Sequence, residues 1–288
     1  IKLILMIKNF NFLKILRIDH WIKNLIIFLP LIFSNNFLEI SNFLIALKLF
    51  CHFSLLSSAI YIFNDILDYK SDKKHPIKKF RVLPLKILSI QQAILLHILL
   101  LVLSIFFISQ EILFISFTYL VINYLYSLYL KKIFILDIIC VSSGYYLRVL
   151  AISILTNINL SLYFIVMIFL IAFFILTSKR YLGIKFSNKT NFNNLNFSYF
   201  KYYKVSTNIF LILIFFIYSK YILENVLINY LWEIILIFIS QFILLLVLYM
   251  FYKTIIVLKR DENPVSIFLN NRQIYFPSVL WLIYNIFL

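Results

Sequence analysis

The sequence predicts an all-α fold, a polytopic membrane protein with nine transmembrane helices in one bundle. Hydrophobic residues make up 64% of the chain and charged residues only 13%, too few to cover a water-exposed surface. Mean hydropathy is +0.99, and apolar runs of about twenty residues recur, the length an α-helix needs to cross a bilayer core. Basic residues collect on alternate connections between those runs. A length of 288 residues fits roughly one or two soluble domains. No Pro/Gly/Ser-rich linker or internal repeat divides the chain, so residues 1–288 read as a single domain.

The expected helices are 22–34, 43–63, 87–107, 111–130, 134–155, 160–178, 205–222, 229–252 and 273–288. The first follows a basic start (Lys2, Lys8, Lys14, Arg17) and flows into an apolar segment too long and uncut for a cleavable signal peptide. The second ends at the polar pair Asn64-Asp65, and the third opens after the basic stretch through Lys86. The fourth and fifth are parted by Lys131-Lys132, the sixth and seventh by a loop beginning at Lys179-Arg180, and the eighth and ninth by Lys259-Arg260 and Arg272. These connections and the N-terminal segment hold all 27 basic residues except Lys48, Arg148 and Lys220. The opposite connections carry Glu39, Glu111, Glu224 and Glu233. By the positive-inside rule this places the N-terminus and the basic loops on the cytoplasmic face of a bacterial-type inner membrane. Eight or ten helices would scramble the pattern.

A formal net charge of +16 is therefore first a matter of topology and of attraction to anionic membrane lipids. Nucleic acid is excluded as a partner, since no soluble part is available to present a groove-reading element. A subset of the basic residues remains for a phosphorylated substrate, and the acidic residues identify it.

Asp65, Asp68 and Asp72 are spaced i, i+3, i+7. If the second helix continues past the membrane surface, all three carboxylates lie on one face. Carboxylates so placed repel one another without a cation, and oxygen-only ligands favour a hard ion such as Mg²⁺, completed by water and phosphate oxygens. Asn64 either adds an amide oxygen or orients a neighbour. Lys78, Lys79 and Arg81 follow in the same loop as candidate phosphate contacts, and His75-Pro76 stops the helix and turns the chain back. The plain alternative is a solvated loop in which Asp and Lys neutralise each other.

Asn64-Asp65-x-x-Asp68-x-x-x-Asp72 followed by His75-Pro76-x-Lys78-x-x-Arg81 resembles the first aspartate-rich motif of the UbiA superfamily of membrane prenyltransferases. Arg17-x-x-x-Trp21-x-Lys23-Asn24 is similar to the opening of its decaprenyl-phosphate phosphoribosyltransferase branch. Tyr126-Ser127-x-x-Leu130-Lys131, Leu136-Asp137, Gly144 with Leu147-Arg148, and Lys179-Arg180-Tyr181 fall in the order of that branch's signatures. The resemblance implies a nine-helix UbiA fold, Mg²⁺ dependence, and transfer of 5-phosphoribose from phosphoribosyl diphosphate to a polyprenyl phosphate. It also implies catalytic and metal roles for Asp65, Asp68 and Asp72. Substrate contacts would come from Lys23, Asn24, Asn64, Lys78, Lys79, Arg81, Tyr126, Lys131, Arg148, Lys179 and Arg180. The chain departs from the pattern at Val82, Gly183 and Asn270-Asn271-Arg272.

Superfamily members that use a prenyl diphosphate resemble one another in a second aspartate-rich motif between helices 6 and 7. Here no Asp or Glu occurs between Asp137 and Glu224, so that loop offers cations in place of a second carboxylate cage. This favours the phosphoribosyltransferase over an aromatic prenyltransferase. A transporter or channel is more distant, because the polar clusters sit at one membrane face.

Single residues carry alternatives. Lys23 and Asn24 are either snorkelling at the interface or touching the donor; Tyr126 and Lys131 are either belt and topology or site. Asp137 either assists the site or pairs with Lys131 or Lys132. Arg148 lies deep in the fifth helix and needs an interior partner or a phosphate. His20, His52 and His97 are dispersed and structural, and Cys51 and Cys140 are apolar filler.

Overall fold

The computed structural model describes residues 14–75, 78–187, 195–225, 231–257 and 271–287, all helical or connecting, with no strand among them. Among the described residues five helices are long and apolar enough to cross a membrane: Ile40–Leu67, Gln110–Leu128, Leu136–Thr156, Leu162–Tyr181 and Tyr202–Tyr221. They are five of the nine expected spans. Ile90–Ile105 and Phe238–Lys253 are shorter apolar helices. The chain packs as two compact units, residues 1–30 with 38–158, and residues 31–37 with 159–288.

In the first unit a 3-10 helix, Ile18–Phe28, leads into α1 (Leu29–Phe33), of which only Leu29 and Pro30 belong to this unit. It begins before the expected 22–34 because Asp19 and His20, which read as polar loop, lie inside it. Next come α2 (Ile40–Leu67), α3 (Tyr69–Asp72), α4 (Ile90–Ile105), α5 (Leu113–Leu128) and α6 (Phe134–Thr156). The hub is α2, packed most extensively on α4 and also against the 3-10 helix, α5 and α6. Small residues let these backbones approach closely: Ala46, Ser54, Ser58 and Ala59 of α2 and Ala93 of α4 are fully buried. A capping box, Ser89 with Gln92, starts α4, and Asn157 in the left-handed region ends α6. Outward residues such as Leu95, Phe106, Phe114 and Phe117 are more than half exposed. That is the dress of a surface facing lipid, and the chain is an integral membrane protein.

The second unit contains α7 (Leu162–Ser187), α8 (Leu195–Asn225), α9 (Leu231–Val257) and α10 (Arg272–Phe287). α7 lies along α8, and α9 along α10. Buried Tyr218 hydrogen-bonds Ser240 and Asn285, tying three helices together. Asn271, one of the departures, accepts from the Gln273 amide at 3.1 Å and so caps α10.

Candidate active site

The site in the first unit grows from one stripe of α2. Ser54, Ser58, Tyr61 and Asp65 recur at intervals of four, three and four residues, so they line one helix face. Each is bonded by the N-terminal segment. Asn24 Nδ2 donates to Ser54 Oγ at 2.9 Å, Trp21 Nε1 to Ser58 Oγ at 2.9 Å, Lys23 Nζ to Tyr61 OH at 3.4 Å, and Arg17 Nη2 to Asp65 Oδ1 at 2.5 Å. Ser58 Oγ in turn donates to the Leu16 carbonyl at 2.7 Å. Arg17 adopts φ 49°, ψ 50°, a left-handed conformation that costs a non-glycine residue about 1–3 kcal/mol. Its ion pair with Asp65 and its position 4.8 Å from the Tyr61 ring centre hold it there.

α2 runs four residues beyond the expected end at 63 and takes Asn64 and Asp65 into the helix. At Asp68 the backbone (φ −84°, ψ 0°) breaks α2 from α3, yet the ladder continues, Asp68 N to Asn64 O at 2.9 Å and Asp72 N to Asp68 O at 2.8 Å. Asp65 and Asp72 are buried, 6% and 2% exposed, and such carboxylates demand partners. Arg81 supplies one to both: its Nη1 donates to Asp65 Oδ1 at 3.1 Å and to Asp72 Oδ2 at 2.8 Å. Asp68 is held differently, by Lys131 Nζ at 2.7 Å and Asn64 Nδ2 at 3.1 Å, while Lys131 also donates to Asn64 Oδ1 at 3.2 Å. Arg81 is anchored by the apolar residues next along the chain. Val82, Leu83 and Leu88 are buried with Ile15, Ala59, Ile62, Ala93 and Leu100, which gives Val82 an apolar task where the motif departs.

The three aspartates are thus divided, two on Arg81 and one on Lys131. Among the described residues no three acidic, His or Cys side chains converge closely enough to hold a metal in this arrangement. The donor chemistry nevertheless fits a hard cation. Every candidate ligand is an oxygen, and one positively charged nitrogen already bridges Asp65 and Asp72.

Deeper in the unit Arg148 is 7% exposed, and its hydrogen bonds go to neutral groups. Nε donates to Asn24 Oδ1 at 2.7 Å, Nη1 to the Gly144 carbonyl at 2.6 Å and Nη2 to Tyr119 OH at 2.7 Å. The rings of Tyr119, Phe53 and Tyr145 lie 4.8, 5.6 and 5.8 Å from its guanidinium carbon. Among the described residues no carboxylate pairs with it. Asn24 joins this cation to the Ser54 end of the stripe.

The remaining expectations divide. Tyr126 OH donates to Asp137 Oδ1 at 2.9 Å, whereas Lys131 goes to Asp68 and not to Asp137. Lys78 and Lys79 have no ion pair among the described residues, and Lys79 lies over the Phe80 ring at 5.1 Å. Lys179 and Arg180 are on α7 in the second unit, with Lys179 exposed. Pro76, the Lys132 side chain and the surroundings of Gly183 lie outside what is described. His52, between the Ser104 carbonyl and Ser116, and His97, between the Ala59 carbonyl and Tyr124, are bonded within the helix packing. Arg17, Ser54, Ser58, Tyr61 and Tyr119 were not singled out as site residues from the sequence. The four-three-four spacing ending at Asp65 would have found those on α2.

Comparison with known proteins bears on the family and the fold. The model of the UbiA prenyltransferase family matches residues 25–275. A relative from Mycolicibacterium smegmatis named decaprenyl-phosphate phosphoribosyltransferase is 30% identical over 185 residues, 62% of this chain and 58% of its own. A relative of the same name from Mycobacterium tuberculosis is 28% identical over 184 residues, 62% of this chain and 61% of its own. The chain therefore spans less than two thirds of the length of either. The solved structure of a UbiA homologue from Archaeoglobus fulgidus bound to GPP and Mg²⁺ is similar over 96% of this chain and 98% of that one. The TM-score is 0.69 and the identity 18%, a likeness of fold.

Proposed function

The chain belongs to the UbiA prenyltransferase family, and from that membership we propose that it transfers 5-phosphoribose from phosphoribosyl diphosphate to a polyprenyl phosphate, with Mg²⁺, at the cytoplasmic membrane face. The observation that carries this reading is the charge pattern. One aspartate cluster, clasped by Arg17, Arg81 and Lys131, is followed by a stretch without any acid from residue 138 to 223. That stretch leaves no carboxylates for the second cluster expected of a prenyl-diphosphate user, and its cations suit a second substrate that is itself a phosphate. The names of the two mycobacterial relatives support the same choice.

In this reading Asp65, Asp68 and Asp72, with Asn64, would hold the metal, whose charge would offset that of the leaving diphosphate. Arg17, Arg81 and Lys131 exchange carboxylate for phosphate oxygens as the donor enters, the kind of charge-assisted contact that guanidinium forms best. Lys78 and Lys79, without ion pairs among the described residues, add positive charge beside this cluster, and Lys179 and Arg180 are further proposed substrate contacts. Lys23, Asn24 and Arg148 receive the lipid phosphate, and Tyr126 with Asp137 steadies the start of α6. The bond from the anomeric carbon to the diphosphate oxygen breaks, and a bond to the lipid phosphate oxygen forms. The acceptor is already anionic, so no general base is required, and positioning supplies much of the rate.

Purified protein with Mg²⁺, labelled phosphoribosyl diphosphate and polyprenyl phosphate is expected to yield labelled lipid. Product formed only from a prenyl diphosphate and an aromatic acceptor would overturn the proposal.

A further inference from the structure

Lys48 stands apart from the other two basic residues that the charge pattern leaves off the basic side. Arg148 is held by neutral partners, and Lys220 lies 5.9 Å from the Tyr163 ring centre. Lys48 has no ion pair, hydrogen bond or ring contact among the described residues, although it sits eight residues, about 12 Å, inside α2 from Ile40. It is exposed and, with Ile45, Leu49, Phe107, Ser109, Leu155 and the likewise exposed Glu111, lines an open cavity of about 250 Å³. Glu111 is also without an ion pair among the described residues. One cavity therefore holds a cation and an anion that do not touch each other. Its walls come from the start of α2, the connection from α4 to α5 and the end of α6, all at the helix ends remote from Asp65 and Asp137.

We propose that this cavity binds the headgroup of a zwitterionic phospholipid with a primary ammonium, of the phosphatidylethanolamine type, on the membrane face opposite the aspartates. The chemistry is complementary at both ends. Lys48 meets the phosphate diester, and Glu111, with the Ser109 hydroxyl nearby, accepts from the ammonium protons. One ligand neutralises both groups, which lone snorkelling of Lys48 leaves undone for Glu111. Leu44, Leu47, Phe106, Leu113 and Phe114, close in sequence to the lining residues, are exposed, apolar surface suited to the acyl chains. A quaternary ammonium offers no N–H to Glu111, and an anionic glycerol headgroup places no cation beside it. The site therefore selects within phospholipids by headgroup.

The test is native mass spectrometry of the full chain in mild detergent, titrated with ethanolamine, choline or glycerol phospholipids of identical acyl chains. The ethanolamine lipid is expected to be retained about tenfold better than either of the others. Lys48→Met should weaken retention of all three. Glu111→Gln should keep phospholipid binding but erase the preference for ethanolamine over choline. Equal retention of the ethanolamine and choline lipids by the unsubstituted protein overturns the proposal, and that comparison needs no variant to fold. Unchanged preference in a folded Glu111→Gln protein overturns it as well.

Discussion

Asp68 and Arg148 are charged groups of one compact unit, stabilised by opposite means. Around Asp68, Asp65 and Asp72 every carboxylate is matched by a full positive charge on Lys131, Arg17 or Arg81. Around Arg148 the partners are an amide oxygen, a backbone carbonyl and a phenol, with three aromatic rings beside them. The first arrangement can trade partners, because a metal and a diphosphate bring the same charges that the side chains supply to one another. The second has a positive charge with no carboxylate partner among the described residues, and in the proposed reading an anionic substrate group answers it. One region is built to exchange ions and the other to accept one.

The comparison breaks most visibly at Asp68. Asp68→Asn is expected to lower transfer by roughly 10³-fold while the protein stays folded, since this side chain is only partly buried; a steady-state assay alongside a melting curve separates the two effects. Asp65→Asn should act on stability as well. Arg17 and Arg81 would lose their shared buried anion, a change that typically costs about 3 kcal/mol, measured by unfolding in detergent. Arg148→Lys keeps the charge but not the fork that reaches Asn24, Gly144 and Tyr119 together. The expected result is a roughly tenfold rise in KM for the lipid phosphate, equivalent to about 1.4 kcal/mol, with the KM for the sugar donor little changed. Gly144→Ala should alter stability by less than about 0.5 kcal/mol, because a Cβ there would meet Arg148 Nη1 and Tyr119 Cε2 at 3.4 Å, an ordinary contact.

Those differences in scale reflect what the sequence could and could not disclose. Hydropathy and the placement of Lys and Arg announced a helical membrane protein, and the spacing of Asp65, Asp68 and Asp72 pointed to the candidate site. Helix ends were less legible. α2 extends to Leu67 and α7 past Lys179-Arg180 to Ser187, because charged residues at a membrane surface do not stop a helix as they stop an apolar run. The division of the aspartates between Arg81 and Lys131 was invisible too. It depends on Lys131, 63 residues from Asp68, and on a loop held down by Val82, Leu83 and Leu88. Neutral partners of a buried arginine leave even less trace, since Asn24 and Tyr119 look like ordinary residues of an apolar chain.

The central claim is that the aspartate cluster receives the sugar diphosphate through a metal. Calorimetric titration of phosphoribosyl diphosphate into the purified protein, with Mg²⁺ and with a chelator, tests it most directly when repeated on Asp68→Asn. The account predicts binding that requires Mg²⁺ and is lost in the variant; donor binding of equal strength with chelator present, or in Asp68→Asn, would contradict it.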